Sequence, residues 1–167
     1  VVNYTSGSGS NTLTFNYTVA TGHTSSDLDY VTTNSLASPA PSPGSPTYKD
    51  TSGDSRKITV VGNYAYIADL NSGLAIIDIS DPTNPGTPVY KDTNGSAYDV
   101  AVVGNYAYVA DNTSGLAIID ISNPTSPGNP IYKDTNGTAK GIDISGNYAF
   151  VADGGSGLAI INISDPT

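Results

Sequence analysis

His23 is the single histidine of this chain, and in TGHTSSD it stands beside Ser25, Ser26 and Asp27. A base, two hydroxyl nucleophiles and an acid can therefore be written down in one short stretch. Catalytic trios are assembled from separate parts of a fold, because a rigid scaffold must hold each pair at hydrogen-bond geometry. Neighbours in one polar loop are not held that way, so the stretch gives no catalytic assignment. Cys and Glu are absent, so a hydrolytic site would have to be built from Asp alone. The chain is expected not to be an enzyme.

Asp is the second chemical candidate. It recurs as Asp50, Asp92 and Asp134 after a Tyr-Lys pair, and as Asp69, Asp111 and Asp153 after GNYAYIAD-like segments. Calcium takes roughly six to eight oxygen ligands and uses clustered carboxylates with loop carbonyls. No D-x-D-x-D-G loop is present. An Asp that opens a turn by accepting from its own backbone two residues on explains every repeat without an ion. The expectation is no cofactor, with calcium at these Asp residues as the alternative.

Asparagine is the third. Six N-x-S/T sequons occur, at Asn3, Asn16, Asn94, Asn112, Asn136 and Asn162. Such sequons are acceptors for glycans when they lie on the surface of an exported chain. Asn94 and Asn136 recur in register at Asn-Gly and are the preferred candidates. Dense Ser, Thr and Pro in ASPAPSPGSPT and SDPTNPGTP is a composition that elsewhere carries O-linked sugar.

These residues sit on a repeat of 42: Tyr48, Tyr90 and Tyr132 keep that spacing, as do Gly62, Gly104, Gly146 and Asp69, Asp111, Asp153. Periods in this range mark arrays whose units must stack to bury their apolar faces. Ser, Thr, Asn and Gly exceed two fifths of the 167 residues, which disfavours long helices. One unit fits four short strands, at 98–103, 106–111, 115–122 and the IYKD segment, with Gly104-Asn105 as a two-residue hairpin link. A Pro-rich connection precedes the last strand, since Pro cannot donate to a ladder. The third strand is apolar on both faces, Leu116 and Ile118 on one, Ala117, Ile119 and Ile121 on the other. Such a strand must be covered twice. Propeller blades meet that need, each four-stranded sheet lying between its neighbours. Tyr64 with Tyr66, and Tyr106 with Tyr108, share a face and are expected to fill the space between blades, as is Phe150 in the last unit.

GNYAYIAD at 62–69, GNYAYVAD at 104–111 and GNYAFVAD at 146–153, each followed by a loop and GLAIID or GLAIIN, resemble the LVIVD repeat of bacterial and archaeal surface proteins. The resemblance covers about residues 38–167. It implies a β-propeller-like array, usually extracellular, with no shared catalytic residues. Asn162 departs from the Asp held at Asp78 and Asp120. Three blades are fewer than the four to eight that typically close a ring.

Residues 1–36 break the pattern. In NTLTFNYTVA, Leu13, Phe15, Tyr17 and Val19 alternate with polar residues, as in a half-buried strand, and VVNYTS and LDYVTT look like shorter partners. The stretch resembles the closing strands of Ig-like or cadherin-like modules of large adhesins, although a degenerate fourth blade also fits its length. The chain is thus expected to be all-β: an N-terminal Ig-like strand segment at 1–36, a Pro/Ser-rich linker at 37–47, and three propeller-type units at 48–167. It begins within a strand and stops halfway through a unit, as a processed product or a segment of a longer polypeptide would.

Fifteen acidic residues against six basic ones give a net charge of -9, which argues against nucleic acid and anionic lipid as partners. No apolar run approaches the roughly 20 residues of a membrane span. The expected role is a structural subunit of an extracellular filament or adhesin stalk. Its partners would be further copies joined head to tail by β-strand addition at Leu13–Val19, or neighbouring domains of the same polypeptide. The alternative is a carbohydrate- or protein-binding surface module.

Overall fold

The computed structural model describes residues 3–6, 14–16, 21 and 43–166, in two units, Val1–Gly44 and Ser45–Thr167. In the first unit β1 (Asn3–Ser6) pairs antiparallel with β2 (Thr14–Asn16), Tyr4 opposite Phe15, with a register shift between Tyr4 and Ser6. Of the expected assembly strand, Phe15 lies in β2. Leu13, Tyr17 and Val19, the LDYVTT strand and the segment around His23, Ser25, Ser26 and Asp27 lie outside the described residues.

The second unit holds one antiparallel sheet per repeat, with strands in chain order. The first comprises β3 (Lys57–Val61), β4 (Tyr64–Ala68), β5 (Leu74–Asp78) and β6 (Val89–Lys91). The second comprises β7 (Asp99–Val103), β8 (Tyr106–Ala110), β9 (Leu116–Asp120) and β10 (Ile131–Lys133). The third comprises β11 (Gly141–Ser145), β12 (Tyr148–Ala152) and β13 (Leu158–Asn162). The four-stranded blade of the sequence analysis is thus present twice. The third sheet has three strands among the described residues, which stop at 166, before the position in register with β10. Tyr48 heads the first repeat in the sequence but lies in a segment without strand and is 85% exposed.

The hairpin links follow from local chemistry. Gly62, Gly104 and Gly146 take φ of 56°, 57° and 57° at the first linking position, where only Gly enters without strain, as in a type II′ turn. The turn pins the register: Val61 faces Tyr64 and Val103 faces Tyr106. Because side chains alternate, one residue of slip would exchange the two faces of a sheet.

Burial between sheets is what uses those faces. Tyr66, Leu74 and Ile76 of the first sheet form one core with Val100, Ala107, Val109, Ala117 and Ile119 of the second. Tyr108, Leu116 and Ile118 then pack on Ala149 and Ile163, with Ile142, Ile144 and Ile161 alongside. The tyrosines of each pair pack on one core, as their shared face predicts, but unequally: Tyr66 and Tyr108 are buried between sheets, and Tyr64 and Tyr106 are half-buried against the same cores. The first strands of the sheets adjoin, β3 with β7 and β7 with β11. Polar bonds stitch this seam: the Thr59 hydroxyl donates to the Val100 carbonyl at 2.7 Å, and Ile142 N–H donates to Asp99 Oδ2 at 3.1 Å.

Leu116 and Leu158 occupy the same repeat position, yet the first is 0% and the second 62% exposed. Leu116→Ala is expected to cost about 2–5 kcal/mol by removing a fully packed side chain, and Leu158→Ala under about 0.5 kcal/mol. Urea unfolding of the two variants beside the parent measures both.

Candidate functional site

Each repeat buries one carboxylate. Asp69 and Asp111 are fully buried and Asp153 is 1% exposed, directly after β4, β8 and β12. Their partners come from a Thr-x-Gly loop that leads into the first strand of the same sheet. Asp111 Oδ1 accepts from the Thr93 hydroxyl at 2.7 Å, and its Oδ2 accepts from Gly95 N–H at 2.8 Å. Asp69 accepts from the Thr51 and Ser55 hydroxyls at 2.9 and 3.1 Å and from Gly53 N–H at 2.9 Å. Asp153 Oδ1 accepts from the Thr135 hydroxyl at 2.6 Å.

The backbone around each carboxylate is equally committed. Asp111 N–H donates to the Gly115 carbonyl at 2.8 Å and Ser114 N–H to the Asp111 carbonyl at 2.9 Å, closing a tight turn. The next residue, Asn112, bridges to Ala139 in the following repeat, as Leu70 bridges to Ala97. One carboxylate thus ties the loop entering a sheet to a turn that is itself bonded to the next repeat. Gly95 admits no side chain: a Cβ there would stand 2.2 Å from the Asp111 carbonyl oxygen.

This corrects the local explanation of Asp69, Asp111 and Asp153. They accept from residues 14 to 18 positions upstream, not two positions downstream. The signal was in the sequence as a constant offset, since Thr51, Thr93 and Thr135 and Gly53, Gly95 and Gly137 keep one spacing to the following Asp. The turn chemistry expected of Asp appears elsewhere: Ser80 N–H donates to Asp78, Ser122 N–H to Asp120 and Asn136 N–H to Asp134. Asn162 accepts from Ser164 N–H at 2.9 Å in the same way. An amide oxygen serves there as well as a carboxylate, which explains how Asn stands at that position.

Electrostatics separate Asp111 from Asp78, Asp81 and Asp120. Burial pushes the Asp111 carboxyl above its ordinary value, against the opposing hydrogen bonds from Thr93 and Gly95. On the surface, hydrogen bonds from Ser80, Thr83 and Ser122 hold Asp78, Asp81 and Asp120 below theirs. Among the described residues no three Asp or His side chains come together as metal ligands would. A cleft of ≈ 310 Å³ runs along the first strands, lined by Lys57, Thr59, Asp99, Val102, Ile142 and Asp143. Its carboxylates are engaged by the backbone: Asp99 by Val100 and Ile142 N–H, Asp143 by Ile144 N–H.

Of the sequons, Asn94, Asn136 and Asn162 are exposed, and Asn112 is half-buried with φ 52° in its bridge to Ala139. Asn3 and Asn16 face each other in β1 and β2.

Residues 52–89, 94–130 and 136–167 each match the family described as LVIVD repeat, together more than half of the chain. No curated protein matches it.

Asp111→Ala leaves the Thr93 hydroxyl and the Gly95 N–H without an acceptor, at an expected cost of about 2–4 kcal/mol by urea unfolding. Asp111→Asn keeps an acceptor for Gly95 and removes the ionisation. With its pKa raised on folding, Asp111 binds more proton in the folded state, so its contribution to stability declines as pH rises through the window above the ordinary carboxylate value. The stability difference between Asp111→Asn and the parent should therefore shift in favour of the variant between about pH 3 and about pH 7. Paired urea titrations across that range measure the shift.

Proposed function

We infer that this chain, which belongs to the LVIVD repeat family, is a structural subunit of an extracellular filament or adhesin stalk. What carries the inference is that each sheet buries its apolar residues against the sheet of a neighbouring repeat, as Leu116 and Ile118 do. An array that stacks in this way is stiff and extends by adding β surfaces. Its rigid support is the stitched stack of sheets, and its solubility comes from a net charge of -9.

Assembly proceeds by β-strand addition at the N-terminal hairpin. β2 pairs with β1 along one edge, and a strand has two edges through which backbone groups pair. Addition of a strand from a second copy joins subunits head to tail, and a heterologous contact of this kind propagates. Asn94 and Asn136 are the surface positions that carry glycan. The role is not catalytic, since the chain has one His and neither Cys nor Glu.

Tyr48, 85% exposed ahead of the first sheet, favours the second possibility, a carbohydrate- or protein-binding surface module. An aromatic ring left in solvent suits stacking on a sugar.

Electron microscopy of the purified chain with intact mass on the same sample separates the two. Regular filaments that vanish when residues 1–20 are removed are expected. Filaments that persist without residues 1–20 would exclude strand addition. Discrete particles of the parent chain would exclude the filament and leave the binding module.

A further inference from the structure

Two loops of this protein have the same sequence, Thr-Asn-Gly followed by Ser or Thr, at 93–96 and 135–138. Their hydrogen bonding differs. In the first, three donors are clamped: the Thr93 hydroxyl and Gly95 N–H on Asp111, and Asn94 N–H on the Tyr132 hydroxyl at 2.9 Å. In the second, Thr135 holds Asp153 Oδ1, but Asp153 Oδ2 is buried with no hydrogen-bond partner. Asn136 N–H turns to the local Asp134 carboxylate at 3.1 Å, and Asn136 takes φ 64°. Gly137 N–H, whose counterparts at Gly53 and Gly95 donate to the buried carboxylate, has no such bond among the described residues.

The turn after the Asp differs as well. Asp111 is followed by Asn112-Thr113-Ser114, and the Ser114 hydroxyl oxygen lies 2.9 Å from where a Cβ on Gly95 would stand. Asp153 is followed by a 3-10 turn, Gly154–Ser156, and its own Oδ2 occupies the equivalent neighbourhood of Gly137, 2.7 Å from a Cβ there. The carboxylate approaches the loop without engaging the amide.

We propose that Asn136 is a site of spontaneous covalent modification in the folded protein and that Asn94, in the same local sequence, is protected. The chemistry needs no enzyme. Water or hydroxide removes the proton of Gly137 N–H, and this nitrogen attacks Asn136 Cγ. The Cγ–Nδ2 bond breaks, ammonia leaves, and a five-membered succinimide joins the two residues. Water then opens the ring at either carbonyl, giving an aspartyl or an isoaspartyl linkage at position 136. Gly after Asn favours attack because no Cβ obstructs it and the backbone can swing through positive φ. Asn136 is exposed, so water reaches it. At Asn94 the attacking nitrogen must first leave a charge-assisted bond to Asp111.

The product has consequences for the surface. Position 136 ceases to be a sequon, because only the amide nitrogen of Asn accepts a glycan. A new carboxylate arises beside Asp134, and the isoaspartyl form inserts a methylene into the main chain between Thr135 and Gly137, the loop that seats on Asp153. Glycan already attached to Asn136 Nδ2 would block the reaction, since ammonia is then no longer the leaving group. Sugar and ageing therefore compete for one side chain.

The test is a time course on the full, unglycosylated chain at mildly alkaline pH, with tryptic mapping by mass spectrometry. Trypsin releases residues 134–140 as one peptide carrying Asn136, and Asn94 is followed by fragment ions in the peptide 92–133. Conversion of Asn136 is expected to be about tenfold or more faster than that of Asn94, the factor set by breaking a charge-assisted hydrogen bond. The same time course in concentrated denaturant is expected to bring the two rates together. Equal rates in the folded chain, or a faster Asn94, would overturn the proposal. So would an inequality that survives unfolding, because the cause would then be local sequence and not the clamp.

Discussion

A short strand that is apolar on both faces has to be covered on both faces, and the architecture follows from that need. In β9, Leu116 and Ile118 press against the third sheet while Ala117 and Ile119 press against the first. No single repeat can satisfy both contacts, so a sheet is stable as a middle layer before it is stable as an end. Alternation along the strand then makes register a matter of stability, because a slip by one residue would exchange the two neighbours' surfaces. The II′ hairpins at Gly62, Gly104 and Gly146 remove that freedom locally.

The buried carboxylates answer a different demand. Stacked sheets leave loops with backbone donors that must be satisfied away from water. An Asp behind the second strand, with two acceptor oxygens, takes a hydroxyl and an amide from the loop entering the same sheet. Burial makes the ionised form costly, as the raised pKa of Asp111 records, and the bonds from Thr93 and Gly95 offset part of that cost. The turn holding the carboxylate is also bonded to the following repeat. Loop, turn and neighbouring repeat therefore act as one unit, and rigidity along the stack comes from this coupling as much as from the apolar contacts.

Repetition of sequence does not bring repetition of environment. Asp111 and Asp153 differ in hydrogen bonding, and Gly95 and Gly137 in whether their N–H reaches the buried carboxylate. In each pair the residue type is shared and the neighbours are not. Units that look alike in sequence therefore present different surroundings to the same side chain.

The sequence by itself determined what depends on near neighbours. Period, all-β character, hairpin links, the paired faces of Tyr64 and Tyr66, and the family to which the repeats belong all rest on alternation and turn chemistry within one unit. The turn-forming role of Asp134 was legible for the same reason, since its partner, Asn136, is two residues away. Tertiary structure alone decided what depends on residues far apart in the chain. Asp69, Asp111 and Asp153 became latches because folding carries a Thr-x-Gly loop back to them across two strands. Asp153 Oδ2 was left without a donor through the placement of neighbours that no pattern within a repeat encodes. Local rules act through covalent spacing, whereas burial and hydrogen-bond satisfaction are set by whichever surface arrives from elsewhere in the fold.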